Sequence, residues 1–254
     1  MKFIDTHAHI YYDDYKENIN DIIHRANEQG INKIISIGVD LQTSEECIKL
    51  ADKFSCVYAS CGYHPHEASK AQKKYLYELE NFYQHPKVVG IGEIGLDFHY
   101  DFSEPIIQDK IFKEQLELAK HLNAPSIIHC RESEEAILNG INEIKSKSGV
   151  IHCFSSNIDF ANAIIKKEFN ISFTGMVTFV KNLTKVIEKI PLEKIMLETD
   201  SPYLTPIPLR GKTNEPANVI LVAKKIAAIK NLSLEQVADA TYKTAHQLFT
   251  KLKN

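Results

Sequence analysis

Phe3-Ile4-Asp5-Thr6-His7-Ala8-His9-Ile10 is a short apolar run that reads as a strand and carries two histidines at i and i+2. A strand turns residues two apart to the same side, so both imidazoles face one way. Side by side they are half of a metal site, although such a pair taken alone is more often two partly buried, hydrogen-bonded histidines. No Gly-rich dinucleotide loop follows this strand. His-Ala-His stands there instead, which weighs against a doubly wound sheet that binds a dinucleotide.

Working outward, apolar runs of period two alternate with amphipathic stretches of period 3.6 along the whole chain. The expected strands are 3–6, 33–37, 57–62, 88–93, 126–129, 150–153, 171–174 and 194–198. Helices are expected over 15–29, 43–54, 72–83, 103–122, 133–146, 159–168, 183–190 and 215–230. Strand followed by helix, eight times over, is the count of an α/β protein folded as a (β/α)8 barrel. A further helix pair, Ser233–Ala240 and Lys243–Leu252, follows with Ser233 as N-cap, and is expected on the outside of the barrel. No repeat or linker divides the chain, so one domain over 1–254 is expected.

Composition narrows the class. With 44% hydrophobic and 25% charged residues and no apolar run long enough to span a bilayer, the chain reads as globular, with no membrane association. An acidic residue interrupts the first apolar run at Asp5, so no signal peptide is read and a cytoplasmic location is expected. Five cysteines without a Cys-x-x-Cys pair fit reduced thiols. A net charge of −3 argues against a broad basic face that grips nucleic acid nonspecifically, but leaves room for a local phosphate site. No obligate protein partner is read from the chain.

The strand ends carry the chemistry. Strand one ends in His7 and His9, strand three runs into His64, strand four holds Glu93, strand five ends at His129, strand six at His152 and strand eight at Asp200. C-terminal strand ends of a barrel meet at one mouth, however far apart they lie in sequence. Any one of these residues has a bland reading as a satisfied core histidine or paired carboxylate, but the six formed by His7, His9, His129, His152, Glu93 and Asp200, landing together at the same strand ends, do not. Cys130 and Cys153 each follow a histidine and are expected on the opposite strand face, away from the mouth. Imidazole nitrogens with carboxylate oxygens suit Zn²⁺, Mn²⁺, Fe²⁺, Ni²⁺ or Mg²⁺, and six ligands exceed the need of one four-coordinate ion. Two divalent ions about 3.5–4 Å apart, bridged by a carboxylate, would use the set, with Glu93 the natural bridge.

The blocks Asp5-Thr6-His7-Ala8-His9, Gly62-Tyr63-His64-Pro65-His66, Gly92-Glu93-Ile94-Gly95-Leu96-Asp97, Ile128-His129-Cys130-Arg131, His152-Cys153-Phe154-Ser155 and Glu198-Thr199-Asp200-Ser201-Pro202-Tyr203-Leu204 resemble, in order and spacing, the TatD family of metal-dependent deoxyribonucleases. The resemblance runs from Lys2 to about Phe249. It implies a TIM-barrel metallohydrolase of the amidohydrolase superfamily that cleaves phosphodiesters, as a 3′→5′ exonuclease on DNA ends, with RNA left open. It also implies one metal on His7, His9, Glu93 and Asp200 and a second on Glu93, His129 and His152, the ions being Mg²⁺, Mn²⁺ or Zn²⁺. Phosphotriesterase-like relatives carry a carboxylated lysine at the end of strand four, where this chain has Glu93. Two departures stand out: Ser156 where the family has Gly, and Thr244 where it often has Asn.

In this reading Asp200 takes the proton of the attacking water while Glu93 bridges the ions. His64 either hydrogen-bonds a phosphate oxygen, protonates the departing sugar oxygen or orients a ligand. Arg131 either forks onto a phosphate or pairs with a neighbouring helix. Arg210 and Lys212, around Gly211, either contact phosphate or sit in a solvated loop. Tyr63, Phe98 and Tyr203 either stack a base or pack. The same ligands would also hydrolyse another ester or a cyclic amide, such as an aminoacyl-tRNA ester, and an inactive barrel that binds a partner would require a missing ligand.

Overall fold

The computed structural model describes residues 1–12, 15 and 18–252. Eight parallel strands lie in sequence order: β1 (Phe3–Ala8), β2 (Ile31–Ile37), β3 (Val57–Cys61), β4 (Val88–Asp97), β5 (Ser126–Arg131), β6 (Gly149–Ile151), β7 (Asn170–Phe173) and β8 (Ile195–Leu197). A parallel bridge from Ala8 to Ser201 joins the first strand to the chain after the last, and Thr6 Oγ1 donates to the Leu197 carbonyl at 3.0 Å. The sheet therefore curls into a nearly closed barrel, as the alternation of patterns predicts.

The helices are α1 (Ile19–Glu28), α2 (Leu41–Lys53), α3 (Tyr75–Tyr83), α4 (Pro105–His121), α5 (Glu134–Ile144), α6 (Ile158–Lys166), α7 (Asn182–Lys189), α8 (Val219–Lys230) and α9 (Leu234–Leu248). Lys16 and Glu17, within the expected first helix, lie outside the described residues, as do Asp13 and Asp14. α1 buries Ile19, Ile22, Ile23 and Ala26, the i, i+3, i+4, i+7 stripe of a helix laid on a sheet. Asp40 caps α2 by accepting the Thr43 N–H at 2.7 Å, which starts that helix at Leu41 rather than Thr43. The expected helix at 215 opens instead as a 3-10 turn, Pro216–Asn218, before α8.

Alternate strand residues separate two cores. Phe3, Ile34, Val88, Ile128 and Ile151 face the surrounding helices, while Ile4, Ile35, Val89, Ile127, Val150 and Met196 face inward. The inner cluster includes Ala245, Leu248, Phe249 and Leu252. The helix begins in the outer core, with Val237 and Ala238, as expected, and only its C-terminal end closes onto the inner core, which the expectation of a helix pair on the outside did not include. The two expected helices are also one, because nothing between Ala240 and Lys243 breaks the helix. Ser233 does cap it: its Oγ accepts the Gln236 N–H while Gln236 Oε1 accepts the Ser233 N–H. Thr244, at one of the departures from the family pattern, is buried and donates to the Glu193 and Ala240 carbonyls.

Candidate metal centre

β4 runs four residues further than its apolar pattern predicts, to Asp97. Glu93 and Asp97 are four apart in a strand and project to the same side. Gly95 lies between them at φ +140°, and a Cβ there would fall 2.0 Å from the His129 carbonyl oxygen. A residue with a side chain would push β5 away, and His129 with it.

The structure brings His7, His9, His64, Glu93, His129, His152 and Asp200 together at the C-terminal mouth. The two Glu93 oxygens face different neighbours. Oε2 lies 3.4 Å from His7 Nε2 and 3.9 Å from His9 Nε2. Oε1 lies 2.7 Å from His152 Nε2, 3.0 Å from His129 Nδ1 and 3.5 Å from His64 Nε2. Asp200 Oδ1 completes the first group, 3.6 Å from His7 Nε2 and 3.4 Å from His9 Nε2. His64, which the sequence reading leaves outside the ligand set, shares the second group.

Burial sets the protonation. Burial alone would raise the Glu93 carboxyl, but the imidazoles of His152, His64 and His7 and the hydrogen bond from His129 hold it well below the usual carboxylate range. Asp200 is likewise lowered, its burial outweighed by the His9 hydrogen bond and the adjacent imidazoles. Burial pushes His64 down to about 4, so its ring is neutral. Its Nδ1 accepts the His66 backbone N–H at 3.1 Å, which leaves the ring proton on Nε2.

Four supporting groups escape the sequence reading as members of the site. Asp97 Oδ2 is 3.0 Å from His129 Nε2 and 2.9 Å from His66 Nε2. Glu198 takes the Cys153 N–H and the Ser172 hydroxyl, both at 2.6 Å, and stands 3.6 Å from His152 Nδ1. Asp5 accepts the Thr199 N–H and hydroxyl, anchoring the turn that presents Asp200; burial raises its carboxyl to about 8 against those bonds. Asn214 ties the last loop through Nδ2 to the Thr199 and Tyr203 carbonyls. The signal for Asp97 was present: a carboxylate on the same strand face as Glu93.

The cavity above this cluster measures about 870 Å³, with Arg131 and Tyr203 in its wall. Cys130 and Cys153 also line it, which corrects the expectation drawn from strand alternation for both. β6 ends at Ile151, and Cys153, at φ +46°, has left the strand whose alternation was counted. Of its two readings Tyr63 takes the second and packs: it is buried against Tyr75, with its backbone bracketed by Gln115. Phe98, Arg210 and Lys212 are not among the lining residues. The Arg210 guanidinium instead donates to the Thr205 carbonyl and lies 4.1 Å from the Phe179 ring centroid. Ser156 needs no left-handed backbone, and its hydroxyl donates to Glu134 at 2.7 Å.

The family model of TatD related DNase matches residues 4–250. A Bacillus subtilis (strain 168) protein named uncharacterized metal-dependent hydrolase YabD is 36% identical over 249 residues, covering 96% of this chain and 98% of its own. A Shigella flexneri serotype 5b protein named 3′-5′ ssDNA/RNA exonuclease TatD is 32% identical over 244 residues, covering 92% and 94%. The crystal structure of YJJV, a TatD homolog from Escherichia coli K12, superposes with a TM-score of 0.93 at 28% identity over 98% of each chain. With a nearly closed (β/α)8 barrel, a mouth of imidazoles and carboxylates, and these relatives, the chain belongs to the TatD family of metal-dependent hydrolases.

Proposed function

We propose that the protein hydrolyses phosphodiester bonds at the 3′ ends of DNA, or of RNA, with two divalent metal ions bound at the mouth. The observation that carries this reading is the division of Glu93, one oxygen toward His7 and His9 and the other toward His129 and His152. A carboxylate so placed suits a bridge between two cations.

The donor set fits such ions. His7 Nε2, 3.4 Å from Glu93 Oε2 and 3.6 Å from Asp200 Oδ1, is buried without a hydrogen-bond partner, a cost that metal ligation would remove. The groups His7, His9, Asp200 and His7, Glu93, His152 each bring their ligand atoms within 4.8 Å of one another. In the proposed assignment His7, His9, Glu93 and Asp200 hold one ion, and Glu93, His129 and His152 the other. Mg²⁺, Mn²⁺ and Zn²⁺ all accept nitrogen and oxygen donors of this kind. Bound there, the ions supply Lewis acidity that acidifies water and neutralises charge on phosphoryl oxygens.

The chain's own residues supply the rest. Asp200, ionised and at the cavity wall, takes the proton of the attacking water. Neutral His64 presents Nε2–H as a hydrogen-bond donor to a phosphoryl oxygen. Arg131, at the end of β5, is the guanidinium that faces the phosphate. The name of the Shigella relative supports an exonuclease of this polarity.

Single-stranded DNA labelled at either end, incubated with protein and Mg²⁺ or Mn²⁺, should yield mononucleotides from the 3′ end. Chelator should stop the reaction, added metal should restore it, and Glu93→Ala should be inactive while keeping its helical circular dichroism. Chelator-resistant cleavage, or no release of nucleotides with any of the metals, overturns the proposal.

A further inference from the structure

Large apolar side chains left in solvent gather at one edge of the mouth. Phe98, Tyr100, Phe102 and Ile106 are all exposed within the short stretch that leads from β4 into α4. Of these, Tyr100 and Phe102, 43% and 64% exposed, line the cavity. Their rings lie 5.6 Å apart, Phe102 stands 4.7 Å from His66, and the Arg131 guanidinium sits 4.8 Å from the Tyr100 ring centroid. Exposed aromatic surface beside a polar cavity costs hydration free energy that a flat ligand would recover.

The segment is held in place. Asp97 Oδ1 accepts the His99 and Tyr100 N–H groups at 3.0 and 3.2 Å, and Gln108 Nε2 donates to the Asp97 and Ser103 carbonyls. Ser103 Oγ donates to the His66 carbonyl and accepts the Ser69 N–H. The display of the two rings is therefore built into the turn.

The charges of the wall decide what those rings are for. Among the described residues that line the cavity, Arg131 is the one lysine or arginine, against Glu67, Glu93, Asp97 and Asp200. Among the described residues this wall has no basic groove to follow a polyanionic backbone, and metals would neutralise only the phosphate at the centre. Affinity for the remainder of the strand has to come from base faces.

We propose that Tyr100 and Phe102 form a stacking platform for unpaired nucleobases of the strand whose phosphodiester enters the site, with Arg131 backing the Tyr100 ring. This rests on the phosphodiesterase reading above. Bases inside a duplex already have both faces covered by their neighbours, so the platform selects single-stranded or frayed ends.

The test compares kcat/KM, with Mg²⁺, on a single-stranded thymidine oligonucleotide and on a chain of equal length built of abasic residues throughout. In the wild type, loss of the bases should lower kcat/KM roughly five- to a hundred-fold, the range for stacking on aromatic side chains. The doubly substituted Tyr100→Ala, Phe102→Ala protein should lose a similar factor on the thymidine strand and discriminate far less between the two substrates. Ile106→Ala, exposed but off the cavity wall, should behave as wild type. Because both rings are solvent-facing, thermal melting should show the variant folded. Equal turnover of the two substrates by the wild type, or undiminished discrimination in the variant, overturns the platform and leaves the phosphodiesterase reading intact. Failure of the wild type to cleave either substrate with metal overturns both.

Discussion

Asp97 Oδ2 and His129 Nε2 lie 3.0 Å apart, and the same oxygen is 2.9 Å from His66 Nε2. The carboxylate accepts the His129 Nε2–H and turns Nδ1 toward Glu93 Oε1, 3.0 Å away, where a bound ion would take the Nδ1 lone pair in place of its proton. Asp97→Asn should weaken metal binding about 10- to 100-fold, as loss of such a partner does elsewhere. Calorimetric titration of the metal-free protein measures it, and an unchanged dissociation constant would show that Asp97 does not orient His129.

The same residue gives a pH dependence. Burial would raise the Asp97 carboxyl, but hydrogen bonds from His129 and His66 outweigh it and hold the group below its ordinary value of 3.8. A carboxyl depressed by folding contributes stability that is complete above its unfolded pKa and is lost as pH falls through the folded one. The stability gap between metal-free wild type and Asp97→Asn should therefore be widest near neutrality and narrow once the medium is more acidic than about pH 4. Urea unfolding across that range checks it; a gap that widens on acidification would contradict the assignment.

Glu93→Ala removes the group shared by both halves of the mouth. Dialysed wild type should retain two metal equivalents per chain and the variant fewer, read by elemental analysis. Two tightly held equivalents in Glu93→Ala would rule out the bridge.

Phe249 is fully buried in the inner cluster with Ile4, Ile35 and Val89. Phe249→Ala should cost about 3–5 kcal/mol, the range for truncating a large core side chain. Denaturant unfolding measures the loss, and a cost below about 1 kcal/mol would mean that the C-terminal segment does not support the barrel interior.

Asn214 is fully buried, with Nδ2 donating to the Thr199 and Tyr203 carbonyls and Oδ1 accepting from Glu215 N–H and Asn218 Nδ2. Asn214→Ala leaves those partners without the bonds, at about 1–3 kcal/mol. Activity should fall alongside stability, since Thr199 precedes Asp200; full activity in a destabilised variant would separate the loop from the site.

The strand and helix alternation, and with it the barrel, was legible in the sequence because the two periods are local properties of the chain. So was the identity of the residues at the mouth, since parallel strands in a barrel bring their C-terminal ends together whatever their separation in sequence. His7 and His9 needed only the period of a strand to share a side.

Tertiary structure decided what local pattern does not encode. The inward position of Phe249 depends on the open end of the barrel, not on the helix that precedes it. Cys153 faces the cavity because β6 ends two residues earlier, so alternation no longer governs its direction. Arg210 is taken up by Phe179 and Thr205, partners set by the fold. The division of Glu93 between two groups of imidazoles, His64 included, is a relation among five chain segments. Sequence determined which donors exist and at which end of the barrel; only the packed barrel determined which oxygen faces which ring, because those distances depend on the placement of every strand at once.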